Sequence, residues 1–320
     1  MPELPEVQTV VNDLNKKILG KVIVDVWTDS PKLIRDYKSP AQRFSDEHIA
    51  KANNNFARFK RDIKGLKVLK AERKGKNVLI HLSGNNILLI HQKMTGHLLF
   101  GRWQIVENRA RALEPEAVVN DPYNGFIHLI LFFKDGSQLA LSDMRKFAKA
   151  ILASRKDMDT IADIAGLGPD ALDPKLSREV FSQRIKNSGP TIKQALLKPE
   201  LIAGIGNIYA DEILYTARIH PRQAPKKLRK EELSALYAAM RSVLKKALSL
   251  RGTSTSDFRD TAGKKGGYTD QRLVYGREGE NCQRCLTSIK RIKVGGRSAH
   301  FCPKCQKAKR LYEKHKKTRN

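Results

Sequence analysis

The sequence predicts an α+β multidomain protein: an N-terminal antiparallel β-sandwich with a leading helix, then a helical domain, then a small cysteine-bearing β-hairpin. Three observations predict it. Short β-rich segments recur in pairs across turn residues between positions 22 and 154. Apolar residues repeat at helical spacing from about position 160 to 252. All four cysteines fall within 282–305, as two Cys-x2-Cys pairs.

The elements follow in order. Leu4–Leu19 is an amphipathic helix, because Val7, Val10, Val11, Leu14 and Ile18 share one face of a 3.6-residue period. Gly20 ends it, since glycine enters the left-handed conformation cheaply. Val22–Trp27 is a strand. Val78–Leu82 and Ile87–His91 flank the turn residues Ser83–Asn86, and Phe126–Phe133 and Gln138–Ser142 flank Lys134–Ser137. Lys149–Ala153 adds a further strand. Residues 101–125 lack a clear period and read as an inserted surface loop. Ser177–Lys186, Thr191–Leu197, Asn207–Ala217 and Lys230–Leu250 are helices. Gly252–Gly267, rich in Gly, Ser and Thr, reads as a mobile loop. The implied domains are 1–155, 156–275 and 276–306, with a basic tail at 307–320.

Lys and Arg number 61 against 33 Asp and Glu, a net charge of +28 over 320 residues. A surplus of this size favours a polyanionic partner, nucleic acid first and an anionic membrane surface second. Hydrophobic residues at 40% supply real cores and exclude wholesale disorder. No apolar run reaches the roughly 18 residues of a membrane helix. The acidic, Pro-rich start Met1–Glu6 is no signal peptide. Clustered cysteines in such a chain favour metal over disulfides.

Cys282 and Cys285 are separated from Cys302 and Cys305 by 16 residues, the spacing of a structural zinc site. Four thiolates close the tetrahedron and leave no open position, so one Zn2+ here is structural. The intervening stretch fits a β-hairpin whose Gly295-Gly296-Arg297 tip can push a guanidinium into a groove. The alternative for Arg297 alone is a solvated loop charge. From Cys282 onward there are 13 Lys and Arg against one Glu.

The N-terminus carries possible chemistry. Loss of Met1 would leave Pro2 as a secondary amine, and an α-amino group with a pKa of about 8 is partly neutral at pH 7. Such an amine attacks an aldehyde-like sugar C1′ to give an iminium. Glu3 and Glu6 lie close in sequence for proton transfer. The same residues also make an ordinary acidic, Pro-containing helix start.

Several segments together resemble the formamidopyrimidine-DNA glycosylase family. They are Pro2-Glu3-Leu4-Pro5-Glu6-Val7, Arg73–Asn77, His91-Gln92-Lys93-Met94-Thr95-Gly96, Asp143-Met144-Arg145-Lys146-Phe147, Gly204–Glu212, Tyr275-Gly276-Arg277 and the cysteine module. They occur in family order from Pro2 to about Gln306. The resemblance implies that the helical domain is a helix-two-turn-helix domain ending in a zinc-finger β-hairpin, with damaged double-stranded DNA between the domains. It implies excision of oxidised purines, chiefly 8-oxoguanine and formamidopyrimidines, then β,δ-elimination at the abasic site. A cytoplasmic, nucleoid-associated monomer is expected.

Carried over residue by residue, Pro2 is the Schiff-base nucleophile, Glu3 the general acid and base, Glu6 a supporting group and Lys76 a cation on a neighbouring phosphate. Asn207 and Arg297 grip phosphate, and His91 touches backbone phosphate. Met94, Arg145 and Phe147 fill the hole left by an everted base. Without the resemblance, Lys76 is a strand-start lysine, Asn207 a helix N-cap, and Met94 and Phe147 core residues. Thr253–Tyr268 occupies the position of the loop that closes over the everted base, and is otherwise a plain surface loop.

The 101–125 segment and the tail beyond Gln306 exceed the family pattern. The nearest rival is the endonuclease VIII branch, which prefers oxidised pyrimidines. Leu4-Pro5 and the Met94, Arg145 and Phe147 set favour purines. A DNA-binding protein without catalysis would need none of Pro2, Glu3 and Lys76.

Overall fold

Helix α1 (Leu4–Lys17) begins with a reciprocal cap. The Glu3 carboxylate accepts the Glu6 N–H, and the Glu6 carboxylate accepts the Glu3 N–H at 2.8 Å. Val7, Val10, Val11 and Leu14 are buried on its inner face, as the period predicts. The computed structural model describes residues 1–36, 46–255 and 257–308. The described chain forms two compact units. One holds Met1–Asp170 and Leu244–Gln271, the other Ala171–Val243 and the residues from Arg272 on.

The first unit is a β-sandwich. β1 (Ile23–Trp27), β5 (His97–Val106), β6 (Arg109–Glu114), β7 (Ile127–Phe133) and β8 (Gln138–Ser142) make one sheet in the order β1-β7-β8-β5-β6. β2 (Val68–Lys74), β3 (Asn77–Leu82), β4 (Asn86–His91) and β9 (Lys149–Ser154) make the other, in the order β2-β3-β4-β9. The named strands pair antiparallel with one another. Val78, Ile80 and Leu82 face Leu129, Leu131, Leu139 and Leu141 in a shared core that α1 covers. The strand period of two sends Leu79 and Ala140 to the outer faces. Those faces are covered as well, which is why β3 and β8 read as continuous apolar runs rather than alternating ones.

Three expectations are corrected. Residues 101–125 are not a loop: they complete β5, form β6, and add helix α3 (Glu116–Asn120) and a 3-10 turn at Pro122–Asn124. Arg109–Glu114 is an edge strand with little buried surface, so no hydrophobic period marks it. Helix α2 (Asp46–Ile63) was not foreseen, although Phe59 and Ile63 are buried in the main core. The segment read as a mobile loop is tied at both ends. Thr253 bridges Gly267, the Gly267 N–H reaches the Leu250 carbonyl at 2.8 Å, and Asp260 holds Arg251.

The second unit contains α4 (Arg178–Lys186), α5 (Ile192–Leu196), α6 (Asn207–Thr216) and the first part of α7 (Lys230–Ser249). Phe181, Ile185, Ile192, Leu196, Ile213, Leu236 and Met240 are buried. Glu212 on α6 accepts the N–H groups of Leu273, Val274 and Tyr275 at 2.8–2.9 Å, fixing the chain that enters the last module. There β10 (Lys290–Val294) pairs with β11 (Arg297–Phe301). The expected basic tail lies outside the described residues from position 309 on.

Candidate active site and nucleic-acid contacts

In the first unit, Pro2, Glu3 and Glu6 are all buried. Glu6 ties this end of α1 to a distant segment. Beyond the cap to Glu3, its Oε1 accepts the Thr253 N–H at 2.6 Å. Lys76 is half-buried in the two-residue Gly75-Lys76 turn between β2 and β3, where Lys74 pairs with Asn77. The N-terminal ammonium, carried here by Met1, lies in the combined field of these groups. Burial pulls its pKa below the ordinary value against Glu3, Glu6 and Asp257, and Lys76 adds to the lowering. The structure therefore brings the N-terminus, Glu3, Glu6 and Lys76 into one electrostatic neighbourhood.

His91 ends β4. Burial pushes its pKa down to about 3, with Lys93, Lys149 and Lys76 adding to the effect and Asp163 opposing it. The ring is neutral at pH 7. Its Nδ1 accepts the Lys93 N–H at 3.0 Å, so the proton sits on Nε2, a donor suited to phosphate oxygen.

Met94 and Phe147 are 43% and 54% exposed, so neither is a core residue. The Arg145 guanidinium stacks 4.6 Å from the Phe147 ring centroid. Their two loops are joined by Asp143, which is fully buried. Its carboxylate accepts the Thr95 hydroxyl and the Ala148 N–H, the latter at 2.7 Å, while the Arg145 N–H reaches Thr95 Oγ1 at 3.1 Å.

In the second unit, Asn207 is the first residue of α6, and Gly206 is its N-cap. Asn207 is thus not the cap, and its Oδ1 is buried with no hydrogen-bond partner. The carboxamide stands at the N-terminal end of the helix, where the helix dipole favours an anion such as phosphate. Arg297 is exposed at the first position of β11, across the Gly295-Gly296 turn from Val294. A Cβ on Gly295 would come within 2.5 Å of Gln194. A buried network holds this hairpin on α6: Lys193 pairs with Asp211 at 2.5 Å, and Asp211 accepts the His300 N–H at 2.9 Å.

The sulfurs of Cys282, Cys285, Cys302 and Cys305 all lie within 4.8 Å of one another. A tetrahedron of Zn–S bonds of about 2.3 Å has edges near 3.8 Å. The observed Sγ separations of 3.4, 3.5 and 3.9 Å fit that figure. Tyr215 lies with its hydroxyl 3.2 Å from Cys282 Sγ, placed to donate to a bound thiolate.

Family models match the same three regions. The model described as the formamidopyrimidine-DNA glycosylase N-terminal domain matches residues 1–150, and the H2TH domain model of that glycosylase matches 167–259. A zinc finger found in FPG and IleRS matches 279–308.

The chain belongs to the formamidopyrimidine-DNA glycosylase family.

A formamidopyrimidine-DNA glycosylase of Pelotomaculum thermopropionicum is 37% identical over 309 residues, which is 97% of this chain and 100% of the relative. A Lactococcus lactis Fpg solved with DNA containing an abasic site superposes with a TM-score of 0.78 at 28% identity, covering 96% of this chain and 100% of that one. A variant of the Lactococcus protein solved with Fapy-dG DNA gives a TM-score of 0.79 with the same identity and coverage. The family places the chain among the DNA glycosylases of base-excision repair, and its cysteine cluster fits one structural zinc.

Sequence reasoning missed three groups that organise these sites. Asp143 stood in a family motif but drew less attention than Arg145 and Phe147. Asp211 and Glu212 lie in the Gly204–Glu212 signature, yet their burial is invisible without the partners they bind. The partners of Glu6 and Arg259 are far away in sequence, and no local pattern marks them.

Proposed function

We propose that the protein is a bifunctional glycosylase and abasic-site lyase for oxidised purines in duplex DNA. The reading rests on one observation above the others: Pro2, Glu3 and Glu6 are buried together at the start of α1, and Glu3, Glu6 and Lys76 act on the N-terminal amine there, whose pKa desolvation lowers. An amine with a lowered pKa is more often neutral and nucleophilic at pH 7.

After removal of Met1, the Pro2 nitrogen attacks C1′ of the damaged nucleotide as the bond from C1′ to the base breaks. Glu3 protonates the sugar ring oxygen, the C1′–O4′ bond opens, and an iminium forms between Pro2 and C1′. Loss of a C2′ proton then expels the 3′ phosphate, and a second elimination expels the 5′ phosphate. Lys76 binds a phosphate beside the lesion and stabilises the departing charge. Glu6 holds Glu3 and the N-terminus in register.

The damaged base reaches this site only outside the helix stack. Met94 and Phe147 fill the resulting hole with a flexible thioether and a flat ring, and Arg145 hydrogen-bonds the orphaned partner base. His91, Asn207 and Arg297 contact phosphate. The 253–268 loop receives the everted base. Zinc holds the hairpin that carries Arg297 and takes no part in bond breaking.

An excision panel tests the reading: 8-oxoguanine opposite C and A, formamidopyrimidine and thymine glycol. Release of the purines is expected. Preferential release of thymine glycol would favour the endonuclease VIII branch, and no release would leave a binding protein.

A further inference from the structure

The insertion at 116–124 is bonded to two other parts of the first unit. On one side it meets the loops that carry Met94 and Arg145–Phe147. The His97 ring lies 3.1 Å from Asn124 Oδ1, and its other nitrogen lies 3.3 Å from the Thr95 carbonyl. The Ser142 hydroxyl donates to the Tyr123 carbonyl at 3.0 Å, and the Asp143 N–H donates to the Phe126 carbonyl at 2.8 Å. Residues 142 and 143 lead directly into the Arg145–Phe147 loop.

On the other side the insertion seats the 253–268 loop. The Arg259 guanidinium is 1% exposed. It donates to both oxygens of Asp121, at 2.5 and 3.2 Å, and lies 4.9 Å from the Tyr123 ring centroid. Asp121 is oriented in turn by the Tyr123 N–H at 3.0 Å. Gly263 approaches the insertion so closely that a Cβ would fall within 3.0 Å of Asn124, Ala117 and Val118. A bidentate arginine–carboxylate pair imposes direction as well as proximity, because two parallel bonds fix the guanidinium plane. Merely covering the outer face of the sheet would need apolar contact alone, which Val118 already supplies.

We propose that Asp121, acting through Arg259, is a positioning residue for capture of the everted base. It fixes the loop that receives the everted base on the same strut that braces the hole-filling loops. The proposal rests on the function assigned above. It predicts that base capture depends on the clasp, whereas cleavage of a ready-made abasic site, which presents no base to hold, does not.

The experiment compares two substrates with one enzyme: 8-oxoguanine opposite C, and a preformed abasic site. For Asp121→Ala, kcat on 8-oxoguanine should fall by about ten- to a hundred-fold, the scale of a loop displaced by about an ångström. The thermal midpoint should fall, because the buried Arg259 charge loses its partner, but lyase turnover on the abasic site, measured well below that midpoint, should stay near wild type. The reversed pair Asp121→Arg with Arg259→Asp should recover excision relative to either single change. Equal losses on both substrates, or undiminished excision, would overturn the clasp while wild-type activity upheld the function. A wild type inactive on both substrates would instead overturn the function and the proposal together.

Discussion

Glu6 and Gly252 are in contact across 246 residues of sequence. A Cβ on Gly252 would lie 2.6 Å from Glu6 Oε1, and the next N–H, of Thr253, donates to that same oxygen at 2.6 Å. The carboxylate that caps α1 therefore also anchors the start of the 253–268 loop. The proposed catalytic end of the helix and the proposed base-capturing loop share one acceptor.

Gly252→Ala should consequently damage activity more than stability. The position has φ +82, where an alanine costs about 1–2 kcal/mol, and the new methyl must also displace Glu6. Excision kinetics beside urea unfolding check this. A drop in kcat of at least tenfold is expected, with only a modest fall in unfolding free energy.

Lys193 and Asp211 are both fully buried and joined at 2.5 Å. Removing one charge strands the other, which costs about 3–5 kcal/mol. Lys193→Met should therefore destabilise the protein by that amount in denaturant melts. Asp211→Asn strands the Lys193 ammonium in turn, and its single amide oxygen cannot accept from both Lys193 and His300, so it should cost a similar amount.

His91 carries a pH signature with a definite sign. Its folded pKa of about 3 lies below the ordinary 6.5, so between those values the unfolded chain binds more protons. Its contribution favours folding fully above about pH 6.5 and is lost as the pH falls towards 3. His91→Gln should flatten part of the acid-side fall in thermal midpoint between pH 7 and 4. The wild-type ring should show no titration by NMR from pH 5 to 8.

Zinc removal should act locally. Chelation should unfold the β10–β11 hairpin and weaken DNA binding through loss of Arg297 placement, because structural zinc supplies folding energy directly. Cys285→Ser should reproduce both effects. Circular dichroism and DNA titration after metal removal check this, with the β-sandwich signal expected to persist.

The legible parts of the molecule were those with local signals. The Val7–Ile18 stripe, the hairpins around Ser83–Asn86 and Lys134–Ser137, and the Cys-x2-Cys pairs each announce themselves within a few residues. Edge strand β6 hides because its inward side chains are only the small, half-buried Ala110 and Ala112 and the rest are charged or exposed. The 253–268 loop looked mobile because Gly and Ser suit flexible chain. Asp260, Arg259 and Thr261 nevertheless fasten it to Arg251, Asp121 and Asp13. Charge pairs between distant segments have no periodicity, so Asp121–Arg259 and Lys193–Asp211 emerge only once the chain is folded. At the N-terminus, spacing marked Glu3 and Glu6, but not that the distant Thr253 N–H donates to Glu6.

The central claim concerns the atom that attacks C1′. The most direct measurement is borohydride reduction of the processed protein with abasic DNA, followed by mass spectrometry of the cross-linked peptide. The account predicts a stable adduct on the nitrogen of Pro2, absent when an N-terminal extension acylates that residue. An adduct on a lysine, or none from a protein with a free Pro2, would contradict it.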